Sequence, residues 1–140
     1  MGLKELRFVI AGKPVPQARH RSASWGGQYD PSASERKRVS WEIGEMVGRM
    51  EPIKDRPVSC RVRFIMPVPK SSPKWFKKLV AEGAPQPHYK KPDVDNLEKF
   101  LLDSMQGIVY HSDAQVFKMD SVKLYGVQPR TEVTLIYEED

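Results

Sequence analysis

The chain has a single cysteine, Cys60, which excludes an internal disulfide and any cysteine-built metal cage. No apolar run approaches the ~20 residues that span a bilayer. Its opening residues, Met1 to Ala11, interleave charge with hydrophobe instead of forming the unbroken apolar stretch of a signal peptide. There is no internal repeat and no low-complexity tract. The three histidines, His20, His88 and His111, do not have the arrangement of a metal triad. These gaps point away from membrane, secreted and zinc-stapled proteins, and toward a soluble protein of a reducing cytoplasm. What is present is ordinary globular usage: 39% hydrophobic and 29% charged residues in a chain of 140, which excludes wholesale disorder and fits one domain over residues 1–140.

Charge is unevenly spread. The net charge is +5, but Met1 to Lys91 hold 19 Lys and Arg against 8 Asp and Glu, while Pro92 to Asp140 hold 4 against 10. A basic stretch followed by a carboxylate-rich one suits a protein that grips a polyanion and works on it with metal ions. Two solvated faces of opposite sign give the same numbers, so charge alone does not decide.

Hydrophobic periodicity predicts an α+β fold. Leu3 to Ala11 reads as a strand, broken by the prolines of Gly12-Lys-Pro-Val-Pro-Gln. From Ser32 or Ser34, Val39, Ile43, Met46, Val47 and Met50 recur at helical spacing. Pro57 to Pro67 alternates, with Val58, Cys60, Val62, Phe64 and Met66 on one side and Arg61 and Arg63 on the other, as a half-buried strand does. A short basic helix follows over Pro73 to Glu82, then a loop over Gly83 to Pro92. Asn96 to Gln106 forms a second strong helix, with Leu97, Phe100, Leu101, Ser104 and Met105 as its stripe and Gly107 as its stop. Gln115 to Tyr125 and Glu132 to Glu138 read as closing strands. The expected architecture is a mixed sheet of about four strands with helices packed on it.

The segment that carries chemistry is Lys90-Lys-Pro-Asp-Val-Asp-Asn-Leu-Glu-Lys. If Pro92 holds it extended, Asp93 and Asp95 leave the same face roughly 6.6 Å apart and can share divalent cations. Asp95 also fits a helix N-cap with Glu98 three residues on, which is a purely structural use. Asp93 has no such use in that arrangement. Lys99 falls in the first helical turn, where the helix dipole disfavours a cation; nearby carboxylates or a phosphate account for it, and so does an i,i+4 pair with Asp103. Asp113, just before a strand, is either a turn residue or a third acid returning toward the start of this helix.

Taken together, Lys-Pro-Asp-Val-Asp-Asn-Leu-Glu-Lys and Leu-Asp-Ser-Met-Gln-Gly-Ile-Val-Tyr-His-Ser-Asp-Ala-Gln-Val resemble the signature of the RusA family of Holliday-junction resolvases. Gly12-Lys-Pro-Val-Pro-Gln-Ala-Arg-His-Arg, Gly27-Gln-Tyr-Asp-Pro and Met66-Pro-Val-Pro-Lys-Ser extend the likeness over nearly the whole chain, in order. The resemblance implies that Asp93, Asp95 and Asp113 bind metal, that Lys99 stands at the family's catalytic lysine, and that Asn96 supports the acid pair. Where the family usually has two adjacent acids before Gln-Val, this chain has Ser112 and Asp113. The resemblance further implies a homodimer, Mg²⁺ dependence with Mn²⁺ as a substitute, four-way DNA junctions as substrate, and a bacterial or prophage setting in recombination and repair. Lys13, Arg19, Arg21, Lys70, Lys74, Lys77, Lys90 and Lys91 are the expected DNA contacts. Trp75 and Phe76 either stack on bases or anchor their helix. The rival readings are a catalytically inactive DNA-binding protein and a nuclease without junction preference.

Overall fold

The computed structural model describes residues 2–18, 21–22 and 26–139. They form two compact units: one from Met1–Pro14, Arg56–Lys91 and Ala114–Asp140, the other from Val15–Asp55 and Pro92–Asp113.

The first unit is built on a four-stranded sheet. Its strands are β1 (Gly2–Ala11), β4 (Val58–Pro67), β5 (Val116–Gly126) and β6 (Arg130–Glu139), in the order β1-β6-β4-β5. β6 runs antiparallel to both β1 and β4, whereas β4 and β5 are parallel, so the sheet is mixed as expected. β4 is interior because its alternation supplies the core: Val58, Cys60, Val62, Phe64 and Met66 are buried, while Arg61 and Arg63 are exposed. These two arginines reach cross-strand carboxylates, Asp120 at 3.7 Å and Glu132 at 3.2 Å. Ile65 departs from the alternation and is also buried. Gly126, diagonal to it on β5, leaves room for its side chain, since a Cβ there would stand 2.2 Å from Ile65 Cγ2.

A parallel pair needs a crossover, and the one from β4 to β5 carries both α2 (Lys74–Ala81) and α3 (Val94–Met105). α2 lies against β5. Its Phe76 meets Tyr125 edge-on, with ring centroids 5.1 Å apart. Phe76 is therefore an anchor of this helix, while Trp75 stays 65% exposed.

The second unit pairs α1 (Ala33–Met46) with α3, and adds a short hairpin of β2 (Arg21–Ser22) and β3 (Gln28–Tyr29). Ser40 Oγ donates to Ser104 O across the helix pair at 2.7 Å. Val39 and Ile43 are buried from α1, and Leu97, Phe100, Leu101 and Met105 from α3. α1 ends at Met46 rather than running on to Met50, because Gly48 and Arg49 take positive φ of 70° and 53°.

Candidate active site

α3 starts two residues earlier than the periodicity predicts. Pro92 disfavours helix at the preceding Lys91, Asp93 is extended at φ −67° and ψ 145°, and the helix begins at Val94. Asp93, not Asp95, is the N-cap residue, and its carboxylate makes no capping hydrogen bond. Asp95 lies inside the first turn, so the two aspartates do not share the face of one extended segment, and the Asp95–Glu98 capping box is not formed. The buried stripe runs as expected along Leu97, Phe100, Leu101, Ser104 and Met105. Asp95, Lys99 and Asp103 then follow one another at four-residue steps on the exposed side, with Lys99 about 6 Å along the axis from each aspartate.

After α3 the chain folds back on it. Gly107, at φ 80°, permits the bend. Gly107 N donates to Tyr110 O at 2.7 Å, and Tyr110 Oη donates to Leu102 O at 2.6 Å. This return presents Asp113, whose backbone N–H donates to Gln106 Oε1 at 2.9 Å. The third acid therefore meets the C-terminal end of α3, whereas Asp93 and Asp95 mark its start. Asp95 to Asp103 alone spans about 12 Å of helix axis. Among the described residues, no three His, Cys, Asp or Glu side chains stand close enough together to hold a metal ion.

The acids and cations of this unit nevertheless act on one another. Loss of solvent around the Asp103 carboxyl raises its pKa above the ordinary value. Arg36 and Lys99 pull it down, and the charges of Asp113 and Asp30 push it up. Asp30 is itself ion-paired to Arg36 and accepts the Ser32 N–H at 2.9 Å. Arg36 also donates to Gln17 Oε1 at 3.2 Å, and Gln17 N donates to Asn96 O at 2.9 Å. Asn96 thus ties the proline-rich arm to the first turn of α3. Asp30 and Arg36 are functional candidates that sequence reasoning misses, and Asp103 enters it only as a neighbour of Lys99. Asp30 does carry a signal, because it sits in the Gly-Gln-Tyr-Asp-Pro segment of the resemblance.

Most of the expected DNA contacts belong to the first unit. Lys13, Lys70, Lys74, Lys77, Lys90 and Lys91 are all exposed there. Lys77 Nζ donates to Lys70 O at 2.7 Å, which braces the Pro69–Pro73 loop on α2. Arg19 and the side chain of Arg21 lie outside the described residues.

The donor set suits a hard divalent ion in kind: Asp93, Asp95 and Asp113 are exposed carboxylates with oxygen ligands and no soft ones. A protein of Bacillus subtilis (strain 168), named uncharacterized protein YqaN, is 33% identical over 135 residues, covering 93% of this chain and 94% of that protein. The family model described as Endodeoxyribonuclease RusA matches residues 11–136. With nearly all of its length matched, and α3 with its returning aspartate inside the match, the chain belongs to the RusA family of endodeoxyribonucleases.

Proposed function

We propose that this protein is a divalent-metal-dependent endonuclease that resolves four-way DNA junctions by paired phosphodiester hydrolysis, acting as a homodimer in bacterial recombination and repair. The observation that carries this reading is the exposed face of α3, where Lys99 stands one turn from Asp95 and one from Asp103, with Asp113 held at the helix end by Gln106. Asp93 and Asp95 at the start of α3, and Asp113 beyond its end, would supply oxygen ligands to the metal, although among the described residues they do not stand together as one cluster. Mg²⁺, once bound, supplies neutralisation of phosphate charge and a more acidic water. Lys99 contributes a fixed cation to the charge that grows on the non-bridging oxygens as the bond breaks. Asn96 steadies the first turn by accepting from Gln17 through its backbone oxygen. Lys13, Lys70, Lys74, Lys77, Lys90 and Lys91, with Arg19 and Arg21, bind backbone phosphates and make affinity fall with salt. Two copies related by a two-fold axis present two active sites to the two strands a junction must lose.

Turnover on a mobile four-way junction, a flap and a linear duplex, each with Mg²⁺ and with chelator, tests the assignment. Junction cleavage is expected to lead, and chelator to abolish it while binding persists. Asp95→Asn is expected to lower cleavage by about 10³-fold and leave junction affinity intact. Equal rates on the three substrates would leave a nuclease without junction preference. The wide spacing of the acids favours one rival, a DNA binder without cleavage. That rival predicts no cut product with Mg²⁺ or Mn²⁺ on any substrate.

A further inference from the structure

Hydrolysis at α3 does not use a groove in the first unit. The groove runs between α2 and the turn of residues 127–129 that joins β5 to β6. One compartment, of about 340 Å³, has Pro67, Val68, Val80 and Val127 on its walls. Lys70 and Lys77 also line it, and among the described residues no carboxylate does. A second compartment, of about 440 Å³, shares Val80, Gly126 and Val127 with the first and adds Tyr125. Both volumes fall within the roughly 300–1,000 Å³ typical of ligand sites.

Both sides of the groove are held in place. Gly12 N donates to Pro129 O at 3.2 Å and Arg130 Nη1 to Gln128 O at 2.8 Å, which fastens the turn at two points. On α2, Lys77 Nζ donates to Lys70 O at 2.7 Å. A carbonyl takes one of the three ammonium protons and cancels none of the charge, so Lys77 keeps two donors. The arginines of the second compartment differ, because Arg63 and Arg130 both pair with Glu132, at 3.2 and 2.7 Å. Tyr125 is buttressed edge-on by Phe76, and Val127, shared by the two compartments, is 68% exposed.

An apolar groove with lysines along one compartment suits a molecule that is anionic on one side and apolar on the other. Duplex DNA is anionic outside and hides its base faces in the stack, so it offers the apolar walls nothing. An unpaired strand offers both. We infer that this groove takes unpaired nucleotides of branched DNA, with bases against Val80, Val127 and Tyr125 and a backbone phosphate on Lys70 and Lys77. The inference rests on the nuclease reading for its ligand, and gives that reading a contact to opened strands that a plain duplex lacks.

The test uses the intact protein with chelator present, so that cleavage plays no part. Three probes of equal length are titrated: oligothymidylate, the same backbone made abasic throughout, and a blunt duplex. Oligothymidylate is expected to shift the Val80 and Val127 methyl resonances, and the other two to leave them in place. Val127→Ser is expected to weaken oligothymidylate binding about fivefold, with the salt slope and duplex affinity unchanged. Lys70→Gln is expected to weaken it several-fold and to reduce the slope of log K against log salt by about 0.7. Both side chains are exposed, and thermal melts matched to wild type confirm folding. Equal methyl shifts with all three probes overturn the inference, and so does an affinity that neither variant changes. A response to Lys70→Gln alone leaves a phosphate grip and overturns the base site. Loss of dimer on sedimentation of Val127→Ser makes the groove a contact between copies and overturns it too. A protein that cuts junctions yet ignores these substitutions loses the groove and keeps the nuclease. One that binds oligothymidylate through the groove and cuts nothing keeps the groove and loses the nuclease.

Discussion

α2 and α3 are both short helices with one apolar face, and they differ in what they do with the other. α2 exposes Lys74, Lys77 and Lys78, of one sign, and its only carboxylate neighbour at helical spacing is Glu82, 3.9 Å from Lys78. α3 exposes alternating signs, Asp95, Lys99 and Asp103, on the same face. A face of nearly one sign has little local compensation and suits a partner of opposite charge, such as the DNA backbone of the proposed function. An alternating face is compensated locally, which is the arrangement that the proposed chemistry around a phosphate would use. The difference separates grip from chemistry before any ligand is considered.

Four substitutions break or sharpen that contrast. The largest effect is expected at Lys99→Ala: junction cleavage should fall by about 10²–10³-fold, with the salt dependence of binding unchanged, as read from single-turnover rates beside a binding isotherm. A loss confined to affinity would move Lys99 into the same class as the α2 lysines. Gly126→Ala strikes the platform beneath α2 and not α3. Its Cβ meets Ile65 at 2.2 Å, so a denaturant melt should show destabilisation of about 1–3 kcal/mol. Lys74→Gln, on α2, should weaken junction binding only several-fold and lower the salt slope by about 1, with the cleavage rate of bound substrate unaltered. The smallest effect is expected at Asp103→Asn. Because the folded protein raises the Asp103 pKa, its ionised form is disfavoured by folding; the variant should be slightly more stable than wild type at pH 7, and the gap should close as pH falls through the raised pKa toward 3.8 and below. A gap that widens on acidification would show Asp103 to be a stabilising charge.

Much of the fold was legible because it is written at short range. The alternation of Val58 to Met66 places β4 inside the sheet, and the 3.6-residue stripe of Leu97 to Met105 orients α3. The two-residue error at the start of α3 arose because Asp95 with Glu98 mimics a capping box, while the extended residue before the helix is Asp93 and turning begins at Val94. The alternation gives no place to Ile65; its burial is accounted for by the close approach of Gly126 across the β4–β5 pair. The site was legible as a list of residue types and not as a geometry. Asp30, Arg36 and Gln17 reach α3 through contacts between segments far apart in the chain, and periodicity holds no record of these. The direction in which Asp113 returns is set by Gly107, Tyr110 and the Gln106 side chain together, and no spacing rule announces these roles.

The placement of β6 has a consequence for how the protein comes into being. It is the strand that joins β1 to β4, and translation delivers it after every other strand. Until it emerges from the ribosome, the earliest strand has no place in the sheet, and β4 lacks its antiparallel neighbour. A nascent or prematurely terminated chain therefore displays its lysines without a finished scaffold behind them, and is open to proteases until the last strand is in place.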